Sequence, residues 1–495
     1  MTTKHPSRGD RPVVPLIFEK HTVGMCGVDL PPLDVPETPI SRNIQGKGVN
    51  LPSVGQRDVM SHYTHLSDRN FSVDGNFYPL GSCTMKHNPR INEWGASLQG
   101  FSCLHPLQDE DTIQGALRLL YETRTMLEEI SGLHEVSLQP AAGAHGEFTA
   151  LKVIRAFFAS NDQTQRTVVL APDTAHGTNP ASCTMCGATV KQVRTQNGQT
   201  DLDHLKEVIE EVGAEKIAAF MITNPSTAGL FDPQIKEISE IVHKAGAKIY
   251  LDGANMNALL GRVKPSDFGA DAMHFNTHKT FSTPHGGGGP GSGPIAVTEE
   301  LAPFLPVPQV MMADDGSFYL DRDRENSIGK VRSFIGQFGV LVRCWAYISA
   351  CGADGLRNVA ETAVLNANYL AVKLQSVYDM PYFDPDKSKF CAHEFVTVPQ
   401  KLLDKGVTLV DIAKRMIDYS VHPPTMHWPV YDCLMVEPTE TESKQSLDSF
   451  VSVMLQIAQE IEQDIENVKR APLVSDIARA DEVGAARKPV LVWKD

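Results

Sequence analysis

Between about residues 133 and 300 the chain alternates apolar, β-branched runs with helical stretches, and this rhythm limits the possible folds more than any other feature. The runs are TVVLA (167–171), TVKQV (189–193), IAAFMIT (217–223) and AKIYL (247–251). Helical stretches at 201–212 and 233–245 fill intervals that suit a crossover and are too long for a hairpin. The pattern implies an α/β fold, a mostly parallel sheet with helices on both faces. Ligands in such folds sit at the carboxyl ends of the strands, so chemistry is expected just after each run.

The flanking regions read differently. Residues 1–110 carry prolines at 31, 32, 36 and 39 and form an irregular N-terminal arm, suited to lying across a partner subunit. Residues 111–131 read as an amphipathic helix through Ile113, Leu117, Leu120, Leu127 and Ile130. Asp111 and Gln114 resemble a capping box, and Gly132 ends the helix. Residues 301–330 are loop-like, and helices are expected near 330–349 and 355–378. Strand-like runs follow at 393–398 and 433–437, then a helix over 443–468. The expected domains are the arm (1–110), a large ligand-binding domain (111–340) and a small α+β domain with a tail (341–495).

Composition narrows the function. A net charge of −15 argues against a general nucleic-acid binder, which needs a basic face. Nine scattered cysteines do not form a disulfide framework and suit reduced thiols in a cytoplasmic setting. No apolar run approaches 18 residues, and the N-terminal stretch, broken by three prolines, lacks a signal-peptide apolar region. No membrane span is expected.

The strand ends carry the chemistry. KIYLD ends in Asp252, followed by Gly253 and Ala254; a buried carboxylate there needs a cation, although a turn aspartate would read the same way. DAMHFN reads as a strand, with His278 and Lys279 just beyond it and a glycine-rich segment at 286–293. Such a segment can let backbone amides approach a phosphate, or can be a flexible turn. PAAGAHGE (140–147) runs into a helix, and a helix N-terminus attracts anions. His176 follows the strand at 167–171, and Asn224-Pro225-Ser226-Thr227 closes the strand at 217–223. The chain has no P-loop, no G-x-S-x-G and no dinucleotide fingerprint after its first strand. A phosphate-holding helix end, an imidazole, a carboxylate and a lysine together suit pyridoxal 5′-phosphate. Cys183 and Cys186 form a lone C-x-x-C, read as packing residues, and no metal is expected.

The segments PLGSCTMKHNP, QPAAGAHGE, DTAHGTNPAS, LDGANMNA and HKTFSTPHGGGGPGSGP resemble the glycine decarboxylase P-protein family of the glycine cleavage system. The resemblance runs from about residue 60 to 470. It implies pyridoxal-phosphate fold type I, the aspartate-aminotransferase type with a large and a small domain. That family occurs as one long chain or as two different subunits; this chain resembles the lysine-bearing C-terminal half, subunit 2. The resemblance further implies that Lys279 forms the internal aldimine, that Asp252 pairs with the pyridinium nitrogen, and that His176 and Ala254 flank the ring. Ala142, Gly143 and Ala144 would hold the phosphate with His278 nearby, and Thr84, Lys86 and Asn88 would line the substrate side. His87 stands where the family commonly has an aromatic. The implied reaction is decarboxylation of glycine and transfer of the aminomethyl group to the lipoyl arm of H-protein. The implied partners are a homologous subunit 1 in a two-plus-two heterotetramer, lipoylated H-protein, and the T- and L-proteins. A different pyridoxal-phosphate transaminase or lyase, or a non-catalytic scaffold subunit, remain alternatives at this stage.

Overall fold

A computed structural model describes residues 14–41, 43–46, 50–285, 291–475 and 477–492. The chain forms two compact units, one from residues up to Asn76 with those from Arg470 onward, the other Phe77–Lys469. In the first, helix α1 (Gln56–Ser67) buries only His62, and Val23, Leu30, Ile44 and Leu51 are exposed. No helix among the described residues is long and apolar enough to cross a membrane.

The second unit is built on a seven-stranded sheet. Its strands are β1 (Glu135–Ser137), β2 (Val168–Pro172), β3 (Thr189–Val193), β4 (Ile217–Thr223), β5 (Lys248–Gly253), β6 (Ala272–Phe275) and β7 (Ile295–Val297). Their spatial order is β1-β7-β6-β5-β4-β2-β3. Strands β6, β5, β4, β2 and β3 are mutually parallel, and β7 runs antiparallel to both its neighbours. The chain passes from β3 across β2 to β4, so a topological switch point lies between β2 and β4, where strand-end crevices open.

Alternation along the buried strands fills two layers. Leu170, Phe220, Leu251 and Phe275 belong to one core with helices α3 (Gln114–Ser131) and part of α8 (Phe338–Leu374). Val169, Met221, Tyr250 and Ile295 face the other, with α4 (Gly143–Ser160). Helix α5 is Thr178–Met185, α6 Leu202–Val212 and α7 Ile235–Lys244. Cys183 and Cys186 are buried at the end of α5, and burial pushes their thiols up to about 12 and about 11.

Several expectations are corrected in detail. Helix α3 starts at Gln114 without a side-chain cap, because Glu110–Thr112 forms a separate 3-10 turn. Gln114 instead clamps a hairpin: its Nε2 donates to Phe318 O at 2.7 Å and its Oε1 accepts from Phe318 N at 2.8 Å. That hairpin, β8 (Gln309–Met312) and β9 (Phe318–Asp321), occupies the stretch read as loop. Gly132 does end α3, in the left-handed region at φ 70°. The two helices expected after residue 330 are present as the two arms of α8, on either side of a kink at Gly352, whose backbone is not helical.

A second core gathers Leu370, Tyr378, Phe395, Met416, Leu434 and Phe450. It covers a small antiparallel sheet of β10 (Phe395–Thr397), β11 (Thr425–Met426) and β12 (Leu434–Val436), with α9 (Leu409–Asp418) and α10 (Lys444–Gln463). Residues 77–110, grouped with the arm from sequence, are part of this second unit and include helix α2 (Arg90–Ser97). Phe77 stacks on Phe450 at 4.8 Å, and Gly81 N donates to Met435 O at 3.2 Å. The stretch has no periodicity because it is held by other segments, not by a core of its own.

Candidate active site

Helix α4 begins at the sheet edge. Ala142 is its N-cap, in extended conformation, so the first-turn N–H groups have no intrahelical acceptor. Two glycines let this turn press against β6 and the chain leading to β7. A Cβ on Gly143 would collide with the Asn276 amide, and one on Gly293 would overlap the Ala142 carbonyl. The glycine-rich stretch expected to approach a phosphate lies outside the described residues at 286–290.

Register places the carboxylate. Asp252 on β5 stands between Thr223 on β4 and His274 on β6. It is buried, its Oδ2 accepts from Asn179 Nδ2 at 3.0 Å and its Oδ1 from Ala254 N at 3.0 Å. His274 Nε2 lies 3.6 Å from Oδ1, and its Nδ1 pairs with Tyr250 OH at 2.6 Å. Burial pushes the Asp252 carboxyl up, but His274, Asn179, the Ala254 amide and Lys279 outweigh it and hold the group below its usual value.

A second buried carboxyl, Glu147, lines the same cavity from the first turns of α4. Thr178 Oγ1 donates to it at 2.8 Å and Ser182 Oγ at 2.9 Å. Burial and the nearby Asp252 charge raise it to about 7. The two neighbouring acids are thereby pushed apart, one charged and one holding a proton near neutrality.

Lys279 follows β6 on a turn closed by Lys279 N donating to Asn276 O at 3.0 Å. It opens onto a cavity of about 220 Å³ shared with Gly143, Ala144, His176, Asp252, Ala254 and His278. Ala142 caps the helix behind that cavity. Thr178 N donates to His176 Nδ1 at 3.2 Å, and the ring packs edge-on against Trp428 at 5.2 Å. Burial lowers the His176 imidazole, so it stays neutral. His278 accepts from Ser292 N at 3.3 Å, and burial with the His285 and Lys279 charges drives it down to about 3.

The rest of the lining draws mostly on distant parts of the chain. Ser82, Asn255, His393 and Glu394 belong to it. Thr84 is buried behind it, donating from N and Oγ1 to Glu437 at 3.0 and 2.8 Å. Lys86 is buried in an ion pair with Glu440 at 2.7 Å, and Asn88 donates to Glu93 at 2.7 Å. Neither is among the cavity-lining side chains. Sequence reasoning missed Glu147, Asn179, His274, His393, Glu394 and Glu437. The strand register offers a signal for His274, and the His393-Glu394 pair stands at the start of a strand run; Glu147 reads as an ordinary acid in the second turn of a helix.

Comparisons with known proteins bear on the family and the fold. A family model for the glycine dehydrogenase C-terminal domain matches residues 359–479, and one for class-V aminotransferases matches 147–291. A probable glycine dehydrogenase (decarboxylating) subunit 2 from Bacillus licheniformis is 52% identical over 487 residues, covering 97% of this chain and 98% of that protein. Its counterpart from Listeria monocytogenes serotype 4b is 50% identical over 489 residues, with 97% and 98% covered. Among solved structures, an inhibitor-bound glycine decarboxylase (P-protein) superposes with a TM-score of 0.68 at 20% identity, covering 84% of this chain and 93% of that one. A sphingosine-1-phosphate lyase from Burkholderia pseudomallei gives 0.61 at 16% identity, with 86% and 96% covered.

Proposed function

The chain belongs to the glycine dehydrogenase (decarboxylating) subunit 2 family and has the fold type I architecture, and from that premise we propose that it decarboxylates glycine with pyridoxal 5′-phosphate held at Lys279 and passes the aminomethyl group to the lipoyl arm of H-protein. The observation that carries this reading is the convergence of Lys279, Asp252 and the N-terminus of α4 on one cavity.

The residues fit the cofactor. The free N–H groups at Gly143 and Ala144, after the Ala142 cap, suit a phosphate dianion. Asp252, kept charged, suits a protonated ring nitrogen; His176 and Ala254 suit the two ring faces, with His278 beside the lysine. Bound there, the cofactor supplies an electron sink for the pair left behind when a carboxyl group departs. Lys279 would hold it covalently, and as a free amine would move a proton at the substrate carbon. Asp252 would hold the ring proton, with its orientation fixed by Asn179, Ala254 and His274. His274 is in turn set by Tyr250. On the substrate side Thr84 acts through Glu437 and Asn255, while Lys86 and Asn88 brace the loop that carries Ser82.

The name subunit 2 borne by the relatives supports a partner. We assign a homologous subunit lacking the lysine, in a two-plus-two heterotetramer in the cytoplasm, with lipoylated H-protein docking transiently and the T- and L-proteins acting on the same carrier.

Borohydride reduction followed by peptide mapping tests the site. The label is expected on Lys279, and Lys279→Ala is expected to lose label and turnover while keeping the fold by circular dichroism. A label on another lysine overturns the assignment.

A further inference from the structure

We propose that His393, Glu394 and Glu437 form a site for one divalent transition-metal ion beside the cavity that Lys279 opens onto, and that an ion seated there shuts substrate out of that cavity. The three residues meet because β10 and β12 pair antiparallel with Phe395 opposite Val436. Glu394 and Glu437 are the next residues on each strand, at the same end of the ladder. One ligating atom from each of the three lies within 4.8 Å of the other two.

The cluster is buried, at 2%, 3% and 0% exposure respectively. Neither ring nitrogen of His393 has a hydrogen-bond partner among the described residues, a rare condition for an interior imidazole. Its Nε2 lies 3.8 Å from Glu394 Oε1. A neutral imidazole offers a ring-nitrogen lone pair to a metal ion. Tetrahedral ligands at about 2.0–2.2 Å from one ion stand roughly 3.3 Å apart, so a few tenths of an ångström of side-chain adjustment closes that pair on a cation.

An outer layer fixes the donors, as metal sites require. Ser82 N holds Glu394 Oε2 at 2.7 Å, leaving Oε1 toward His393. Thr84 N and Oγ1 and Asn255 Nδ2 hold Glu437 at 3.0, 2.8 and 2.9 Å. Two carboxylates match the charge of a divalent ion. One imidazole with two carboxylates is a nitrogen–oxygen set with an open position, suited to zinc and not to an all-oxygen calcium site. The Lys279 ammonium opposes a second cation across the cavity, so protein whose Lys279 is covalently engaged by cofactor binds the ion more tightly than protein without cofactor.

Ion binding stands apart from the glycine reading; only the exclusion of substrate rests on it. Chelator-stripped, cofactor-loaded full chain is titrated with Zn²⁺ by calorimetry and with Co²⁺ by visible absorption. One ion per chain is expected. His393→Ala and Glu437→Gln should each weaken binding at least tenfold, with the cofactor absorbance reporting an intact fold. Anomalous scattering from Zn²⁺-soaked wild-type crystals locates the ion without any variant. Absence of stoichiometric uptake, the result if the glutamates merely share a proton, overturns the site, as does an ion located elsewhere. In glycine–bicarbonate exchange, Zn²⁺ should raise the apparent KM for glycine and chelator should reverse it. An ion seen at the cluster with an unchanged KM overturns the exclusion alone.

Discussion

At the residue scale the site depends on two acids held in opposite states. Asp252 keeps its charge because four favourable partners outweigh its burial, so Asp252→Asn retains size but not the ability to hold a ring proton. Exchange activity is expected to fall by at least about two orders of magnitude, roughly 3 kcal/mol of barrier, measured as kcat; near-normal turnover would remove Asp252 from the chemistry. Glu147 sits at about 7 in the fold against an ordinary 4.5. Between those values the unfolded chain sheds the proton while the folded chain keeps it, so raising pH through that window lowers stability, by about 3 kcal/mol once complete. Glu147→Gln is expected to flatten this slope in cofactor-free protein, read by denaturant midpoints at pH 5 to 8. Asp252 was legible in sequence because it ends an apolar strand. Glu147 was not, because its burial is created by α5 folding over it, and nothing local in the helix around it signals that.

At the scale of elements, glycine placement decides where the chain bends. Helix α8 carries residues of both cores: Leu341 and Ile348 before Gly352 and Leu356 after it pack in the first, Leu370 and Leu374 in the second. Gly352 has φ 61° and ψ −177°, which an L side chain adopts only under strain, and no atom lies within 4 Å of a Cβ added there. Gly352→Ala is therefore expected to destabilise by about 1–3 kcal/mol through backbone strain alone, seen as a lower denaturation midpoint with unchanged cofactor binding. The sequence showed the two helical patterns that flank this kink. It also carried an overlooked sign of the hairpin: Asp315-Gly316 between QVMM and FYLD, with Gly316 at φ 84°, is a turn pair that joins adjacent strands. The parallel strands were legible because they are apolar and separated by helices. The wall formed by His393, Glu394 and Glu437 was not, because only folding of the second core brings it to the first.

At the scale of the whole molecule, the first unit exposes Val23, Leu30, Ile44 and Leu51, and a long apolar-studded segment suits a partner's surface. The charge of −15 opposes association at long range, but salt screens that beyond about 8–10 Å. The chain alone is expected to show little glycine–bicarbonate exchange with lipoylated H-protein. Addition of the homologous subunit should restore exchange, together with a heterotetramer by light scattering. Full activity of a stable homodimer would refute that assembly. The hydrogen bonds from Thr84 to Glu437 join positions 353 residues apart in the chain. During synthesis at about 5–20 residues per second, the loop carrying Ser82 and Thr84 therefore waits on the order of tens of seconds for its acceptor to leave the ribosome. For that interval the nascent polypeptide can complete its parallel strands while one side of the pocket is still missing, so a ribosome stalled before position 437 releases a fragment able to fold locally but unable to close its catalytic chamber.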